Sequence, residues 1–372
     1  MTAMDAMLKN VIAGFAFPGA LESVTEIKTG HINTTYRLTF REGGAARAYL
    51  LQRINTFAFH KPKEVMENVT LVTEHLRRAL KARGMDPENR VLRVIPTRNG
   101  RPLCFDADGG AWRAYNFIAH AHSVDAVESP DQFRIVGRAF GDFQSMLSDF
   151  PIEKLHDTIP YFHDTVRRMD NFEASVAKDI AHRAESAAYE IAFVRARREA
   201  MGQIVRMISD GALPLRVTHN DTKCNNVMVD DDTGEALCVV DLDTVMAGSA
   251  LYDFGDAIRF GASTAAEDER DLSKVRLDMD LFTAFTEGFV SRTAQGLTRA
   301  ELDNLVLGAL VMTFEVGLRF LTDYLDGDVY FRIESPDHNL ARAKCQFRLL
   351  SDMESRRAEM EAVVRGIVEK YL

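Results

Sequence analysis

The chain has 372 residues, 46% of them hydrophobic, which is enough for a sizeable core and for more than one domain. Its formal net charge is −10 and its sequence pI is about 5.5, with no basic block, which argues against nucleic-acid and anionic-membrane partners but not against a phosphate ligand. The four cysteines, Cys104, Cys224, Cys238 and Cys345, form no CxxC pair and no zinc spacing with histidine, so no disulfide framework is expected and a reducing, cytoplasmic setting is.

The opening MTAMDAMLKNVIAGFAFPGA carries Asp5 and no basic start, and is expected to form a short amphipathic helix instead of a signal peptide. ESVTEIKT and TTYRLTF alternate as strands around a GHIN turn, and RAYLLQRI reads as a third strand. Between Lys63 and Gly84, the residues Val65, Val69, Val72, Leu76 and Leu80 recur at helical steps, with Gly84 as the stop. Short strands are expected at RVLRVIP, RPLCFDA and AWRAYNFIA, with turns at RNG and DADGG. Beyond about Ala119 the pattern turns helical: Asp131–Phe150, Thr165–Asp210 and most of Ser249–Leu372, interrupted by a compact β stretch. No uninterrupted apolar run reaches membrane-spanning length. The expected organisation is a small mixed β/α lobe, residues 1–118, and a larger, mainly helical lobe, residues 119–372, an α+β arrangement joined near Asn116–His120.

The chemistry concentrates in LRVTHNDTKCNNVMVDDDTGEALCVVDLDTV. It divides into an apolar approach, a polar loop, a strand, an acidic turn, a second strand and a terminal DLD. A hairpin of this kind brings its two ends together, so Asn226 and Asp241 become neighbours able to share a hard cation. His219, Asp221 and Asn226 fit H-x-D-x-x-x-x-N, in which the Asp accepts the proton of an acceptor hydroxyl while the Asn and a later strand-end Asp hold Mg²⁺. Lys223 stands two residues past Asp221, within reach of a transferring phosphoryl group. The pattern alone is weak, because Asn, Asp and Thr form turns; pattern, hairpin and DLD together are specific. His219, Asn220 and Asn225 are expected to shape the loop, and Asp230–Asp232 to be a solvated turn. Asp243 stays open between a second metal or substrate contact and a cap. D-F-G at Asp253–Gly255 lacks a preceding strand, so Asp253 is expected at a helix start, bracing the loop.

The first lobe should cover a nucleotide. It has no Gly-rich loop; Gly30 stands alone in KTGHINTTY. That segment is an ordinary hairpin turn or a phosphate-facing one in which Gly30 and Thr34, beside His31 and Asn33, present backbone N–H groups. Gln52 stands where a third-strand Lys is expected, and Glu64 and Glu67, which would pair with such a Lys, are expected at the surface. Asn116, Phe117 and Ile118 form a hinge whose backbone would meet adenine.

With GHINTTY, GGAWR, AFGDFQ, FHDT, PLRVTHNDTK, DLDT, DFGDAIRFGAST and HNL, the chain resembles the N-acetylhexosamine 1-kinases of the aminoglycoside-phosphotransferase and choline-kinase group, from about Phe15 to the last helix. The resemblance implies a bilobal protein-kinase-like fold, and ATP- and Mg²⁺-dependent phosphorylation of the anomeric hydroxyl of N-acetylglucosamine or N-acetylgalactosamine. It implies Asp221 as base on O1 and Asn226 and Asp241 on Mg²⁺. Asp221, Asp241, Val24, His31, Asn33, Phe260, Arg319 and Tyr330 would line the sugar. Read from the residues, Arg319 in FEVGLRFLTDYL is either such a contact or one half of an ion pair with Glu315 or Asp323, because a lone Arg on an apolar face needs partners. Phe260 and Tyr330 are otherwise core aromatics.

Two departures stand out. Cys224 takes the place of an aliphatic residue and is expected to make the loop sensitive to alkylation. Val24 is one methylene smaller than the expected Ile, worth ~1–3 kcal/mol of discrimination between epimers. The alternatives are a kinase of an amino alcohol or aminoglycoside, whose cationic acceptors call for an acidic pocket, and a nucleotide-binding pseudokinase.

Overall fold

The structure, a computed structural model, describes residues 3–28 and 33–372. Helix α1 (Ala3–Gly14) leads into strands β1 (Ala20–Ile27), β2 (Thr34–Glu42) and β3 (Ala45–Arg53), helix α2 (Pro62–Ala82), and strands β4 (Cys104–Phe105), β5 (Ala111–Asn116) and β6 (Ala121–Ser123). Helices α3 (Pro130–Met146), α4 (Thr165–Lys178), α5 (Ala188–Met201) and α6 (Gln203–Ser209) follow, then strands β7 (Arg216–Thr218), β8 (Val227–Asp230), β9 (Ala236–Val239) and β10 (Met246–Gly248). The rest is helical: α7 (Ala250–Gly261), α8 (Met279–Thr293), α9 (Arg299–Asp303), α10 (Leu305–Leu325), α11 (His338–Ser355) and α12 (Arg357–Tyr371). The fold is α+β and bilobal, with two compact units. The first holds the chain through Ser123 together with Asp149–Pro160 and Val227–Ala247; the second holds Val124–Ser148, Tyr161–Asn226 and Gly248–Leu372.

In the first unit an antiparallel sheet runs in the order β1-β2-β3-β5-β4. Alternation along β2 and β3 sends Leu38, Phe40, Tyr49 and Leu51 to one face, where they meet Leu8, Val11, Ile12 and Phe15 of α1 and the adjoining loop. Helix α2 buries Val65, Val69, Val72, Leu76 and Leu80, as their spacing predicts, and Gly84 follows it at φ +73°. The strand expected at RVLRVIP does not form; Val94 makes an isolated bridge to Tyr115. The Asn116 side-chain oxygen takes the Arg93 N–H at 2.6 Å, and Pro96 lacks a donor to continue a ladder.

The expected hairpin is present. Strands β8 and β9 pair antiparallel, with Val227 opposite Val239 at the open end. Asp230 Oδ1 accepts the Asp232 and Thr233 N–H groups at 3.1 and 2.7 Å, which closes the acidic stretch into a local turn. A third strand, β6, pairs along the other edge of β8. Its three residues are too few to show in the sequence.

The second unit is built on α7 and α10. Both are buried along nearly their whole length. Helix α10 is long and apolar enough to cross a membrane by composition, yet 89% of its apolar window is buried within the protein, the condition of a core helix. The two helices cross at glycines. A Cβ on Gly255 would lie 2.2 Å from the Gly308 carbonyl oxygen, and one on Gly308 would lie 2.3 Å from the Leu251 carbonyl oxygen. Because backbone blocks backbone here, Gly308→Ala should cost about 1–3 kcal/mol through overpacking. Urea unfolding measures it; an unchanged midpoint would show that the crossing tolerates a methyl group.

Candidate active site

Strand β7 delivers the chain to the polar loop. Asn220 then turns it through a left-handed conformation, φ +63°, which Asn tolerates better than most residues. Asp221 follows directly. Lys223 Nζ lies 3.0 Å from Asp221 Oδ1. Asn226 Nδ2 donates to the Asp221 backbone oxygen at 2.8 Å and to its Oδ2 at 3.2 Å. Burial pushes the Asp221 carboxyl up, but Lys223, His219 and Asn226 more than offset it and hold the carboxyl below the ordinary range. The same pair, against the opposing effect of burial, raises Lys223. So Asp221 is ionised and Lys223 charged at neutral pH, side by side.

The loop hangs from α7. Asp253 in the first turn of α7 accepts the N–H groups of His219 at 2.9 Å and Asn220 at 2.8 Å, and Gln144 Nε2 of α3 at 3.0 Å. Thr222 Oγ1 donates to the Asp253 backbone oxygen at 2.5 Å, and its N–H to Asp256 Oδ2 at 3.1 Å. Asp256 is paired in turn with Arg259, which also reaches Glu267 at 2.8 Å. Burial raises the Asp253 carboxyl despite these donors. Asp253 therefore braces the loop, as its helix-start position suggests. His219 is fully buried, with Phe140 and Phe143 edge-on to its ring at 5.6 and 5.8 Å, the surroundings of a loop-shaping residue. Cys224 corrects one expectation: the thiol is buried and pushed up to about 11 by that burial, so it is poorly suited to alkylation.

The DLD stretch belongs to the first unit. Asp241 is exposed and left-handed, φ +58°, at the start of a short 3₁₀ turn. Asp243 is buried and resolves its open reading. Arg113 of β5 grips it with both terminal nitrogens, one at 2.9 Å, and Asn33 Nδ2 donates to it at 2.9 Å. Asn33 Oδ1 is also engaged, by the Asn55 N–H at 2.9 Å. Asn68 of α2 holds the end of the same turn, donating to the Val245 carbonyl at 2.9 Å.

Each of the two residues expected on Mg²⁺ carries an oxygen group of the kind that ion takes. Asn226 spends its amide nitrogen on Asp221, which leaves the oxygen as the ligand end, and Asp241 offers an exposed carboxylate. Among the described residues no group of three or more His, Cys, Asp and Glu is arranged to hold a metal alone.

Arg319 does not form the ion pair with Glu315 or Asp323 weighed from the sequence. Glu315 accepts His163 Nδ1 at 2.8 Å and Thr165 Oγ1 at 3.0 Å, and pairs with Arg168 at 3.2 Å. Asp323 accepts the N–H groups of Val329, Tyr330 and Phe331. The half-buried Arg319 guanidinium instead lies 5.5, 5.9 and 5.4 Å from the rings of Phe162, Tyr330 and Phe331. His163 lies beside Phe162 and, at 4.8 Å, against Tyr252, the neighbour of Asp253 on α7. One run of contacts in the second unit thus links this cationic, aromatic cluster to the element that carries the polar loop.

Comparison with known proteins settles the family. Residues 23–280 match the phosphotransferase enzyme family APH. The chain belongs to that family. Its fold is similar to those of a microcompartment-associated aminopropanol kinase (16% identity, TM-score 0.58, 96% of this chain and 98% of the other) and an aminoglycoside phosphotransferase from Alicyclobacillus acidocaldarius (14%, 0.60, 97% and 96%). It is also similar to the spectinomycin phosphotransferase APH(9)-Ia in complex with ADP and spectinomycin (12%, 0.54, 96% and 99%).

In this phosphotransferase the other expected residues are scattered. Gly30 and His31 lie outside the described residues. Thr34 is exposed at the start of β2, and Val24 is 39% exposed on β1. Phe260 sits on α7 with the Arg259 guanidinium 5.8 Å from its ring. At the segment expected to be a hinge, the Asn116 N–H donates to the Arg93 oxygen and the Phe117 N–H to the Ala48 oxygen. A purine edge there would have to meet carbonyl groups or Ile118. Sequence reasoning missed Arg113 and Asp256. The first lies in GGAWR, a segment quoted for the resemblance but with no role read for its Arg; the second could have been suspected from its i,i+3 spacing to Asp253.

The Glu315 carboxyl carries a pH prediction. Burial pushes it up, but His163 and Arg168 win and hold it down to about 2 from an ordinary 4.5. Because the folded value is the lower one, its contribution is present above the ordinary value and is lost as pH falls from about 4.5 towards about 2. Urea unfolding of Glu315→Gln against the parent should show a stability gap that is largest above about pH 5 and closes on acidification. A gap independent of pH would contradict the assigned ionisation.

Proposed function

We propose that this phosphotransferase moves the γ-phosphoryl group of ATP to the anomeric hydroxyl of an N-acetylhexosamine, giving the hexosamine 1-phosphate. The observation that carries the acceptor choice is Arg319. A guanidinium set among Phe162, Tyr330 and Phe331, with Arg168 also in the cluster, offers rings and N–H donors to a neutral sugar. A cationic acceptor would be repelled there. The sequence motifs shared with the N-acetylhexosamine 1-kinases point the same way.

In this reading Asp221 is the base and Lys223 its phosphate-facing neighbour. The Asp221 carboxylate takes the proton of O1–H as the O1–Pγ bond forms. The bond from Pγ to its bridging oxygen breaks, and ADP leaves. Mg²⁺, with Asn226 and Asp241 as protein ligands, would neutralise charge on the phosphates. Lys223, charged at neutral pH, adds a positioned cation on the same side of the loop.

A second reading is an amino-alcohol kinase. It draws on the similar aminopropanol kinase and on aromatic rings, which suit a cation. Here the cation already against those rings is Arg319.

ADP release with ATP, Mg²⁺ and a panel of N-acetylhexosamines, amino alcohols and aminoglycosides separates the readings. Turnover with N-acetylglucosamine or N-acetylgalactosamine is expected. Turnover with 1-amino-2-propanol or choline, and none with any N-acetylhexosamine, would replace the first reading with the second.

A further inference from the structure

Gln52 leaves the first unit without the third-strand cation that kinase-like folds use next to the phosphates. The cation has not vanished; it has moved one strand. Gln52 of β3 lies directly opposite Arg113 of β5 in the antiparallel register. Arg113 Nε donates to Gln52 Oε1 at 3.0 Å, and Gln52 Nε2 donates in turn to Thr35 Oγ1 at 3.1 Å. On its other side the Arg113 fork holds Asp243 through both terminal nitrogens. Helix α2 presents Met66 to the guanidinium, with Sδ 3.9 Å away, in place of a carboxylate. Arg113 is only 1% exposed.

We infer that Arg113 is a positioning residue that does for the metal-holding turn what the missing lysine would do. The inference rests on Asp241 being a metal ligand, as in the function proposed above. Asp241 and Asp243 are two residues apart, Asp241 at the start of the 3₁₀ turn and Asp243 within it. Arg113 neutralises and immobilises Asp243, through a fork whose planarity fixes orientation as well as distance. The left-handed Asp241 is then the exposed carboxylate of the pair. Arg113 itself is too deeply buried to meet the nucleotide, so its effect on phosphate binding runs through the turn. Gln52, with its amide oxygen on Arg113 Nε and its amide nitrogen on Thr35 Oγ1, tethers the guanidinium to β2 and β3. This explains why an amide can stand in the lysine position, and why Glu64 and Glu67 are released to Lys61 and His156.

The test uses the full-length protein and no acceptor, so it is independent of which alcohol is phosphorylated. Nucleotide binding is followed by calorimetry over a range of Mg²⁺ concentrations for the parent, Arg113→Gln, Asp243→Asn, the double variant, Arg113→Lys and Asp241→Ala. Circular dichroism confirms folding. Loss of an outer partner that orients a metal ligand raises the metal requirement by roughly 10–100-fold. Arg113→Gln and Asp243→Asn should each do so. The double variant should be no worse than either alone, and Arg113→Lys should recover part of the loss. If Arg113→Gln fails to fold, Asp243→Asn decides on the same readout. Folded single variants with the parent's Mg²⁺ dependence would overturn the inference, as would losses that simply add. If Asp241→Ala alone shifts the Mg²⁺ requirement, the inference fails and the metal assignment survives; if Asp241→Ala also has no effect, both fall.

Discussion

The carboxylate of Asp253 accepting the backbone N–H groups of His219 and Asn220 is the contact on which the loop's chemistry depends. A left-handed Asn and an ionised Asp in sequence would not hold their shape on an open loop. Two bonds to backbone N–H groups, with Gln144 as a third donor, fix the residues immediately before Asp221. Thr222 then ties the following residue to the same helix. The brace itself needs support, since α7 is buried on nearly every side. That support comes from the glycine crossing with α10 and from the Asp256–Arg259–Glu267 series one turn along.

The fully buried carboxylates each have a partner. Asp243 is satisfied by Arg113 and Asn33, Asp256 by Arg259, and Glu315 by His163, Thr165 and Arg168. Asp241 lies at the surface. Breaking a buried pair by removing one partner costs about 3–5 kcal/mol, because it strands the other charge. That cost is enough to keep these side chains in place. Arg319 differs: its company is aromatic, which satisfies a half-buried cation.

Much of this was legible in the sequence. The α2 periodicity, the β8–β9 hairpin, the helical second half and the bracing role of Asp253 follow from local patterns that tertiary packing had no reason to override. The Asp221–Lys223–Asn226 grouping was legible because all three lie on one short loop. The clustering of Val227–Ala247 with the first unit was not, since chain order gives no sign of which unit a hairpin joins. Nor was Arg113, whose importance comes from cross-strand register with Gln52 and from a partner 130 residues away. Periodicity also misled at RVLRVIP, where a side-chain amide from Asn116 replaced a ladder bond. For Cys224 a dense polar loop suggested exposure, while the short helical turn at Cys224–Asn226 folds the thiol inward.

The central claim is that phosphoryl transfer takes place at Asp221 on the loop braced by Asp253. Its most direct test is Asp221→Asn, an isosteric change that removes the base and keeps the loop's shape. Single-turnover phosphorylation of the proposed N-acetylhexosamine acceptor and calorimetric binding of Mg²⁺-nucleotide are measured on the same protein. The rate should fall by about 10²–10⁴-fold, the contribution of a positioned general base, while nucleotide affinity is largely retained. A variant that transfers phosphate at the parent's rate would contradict the account.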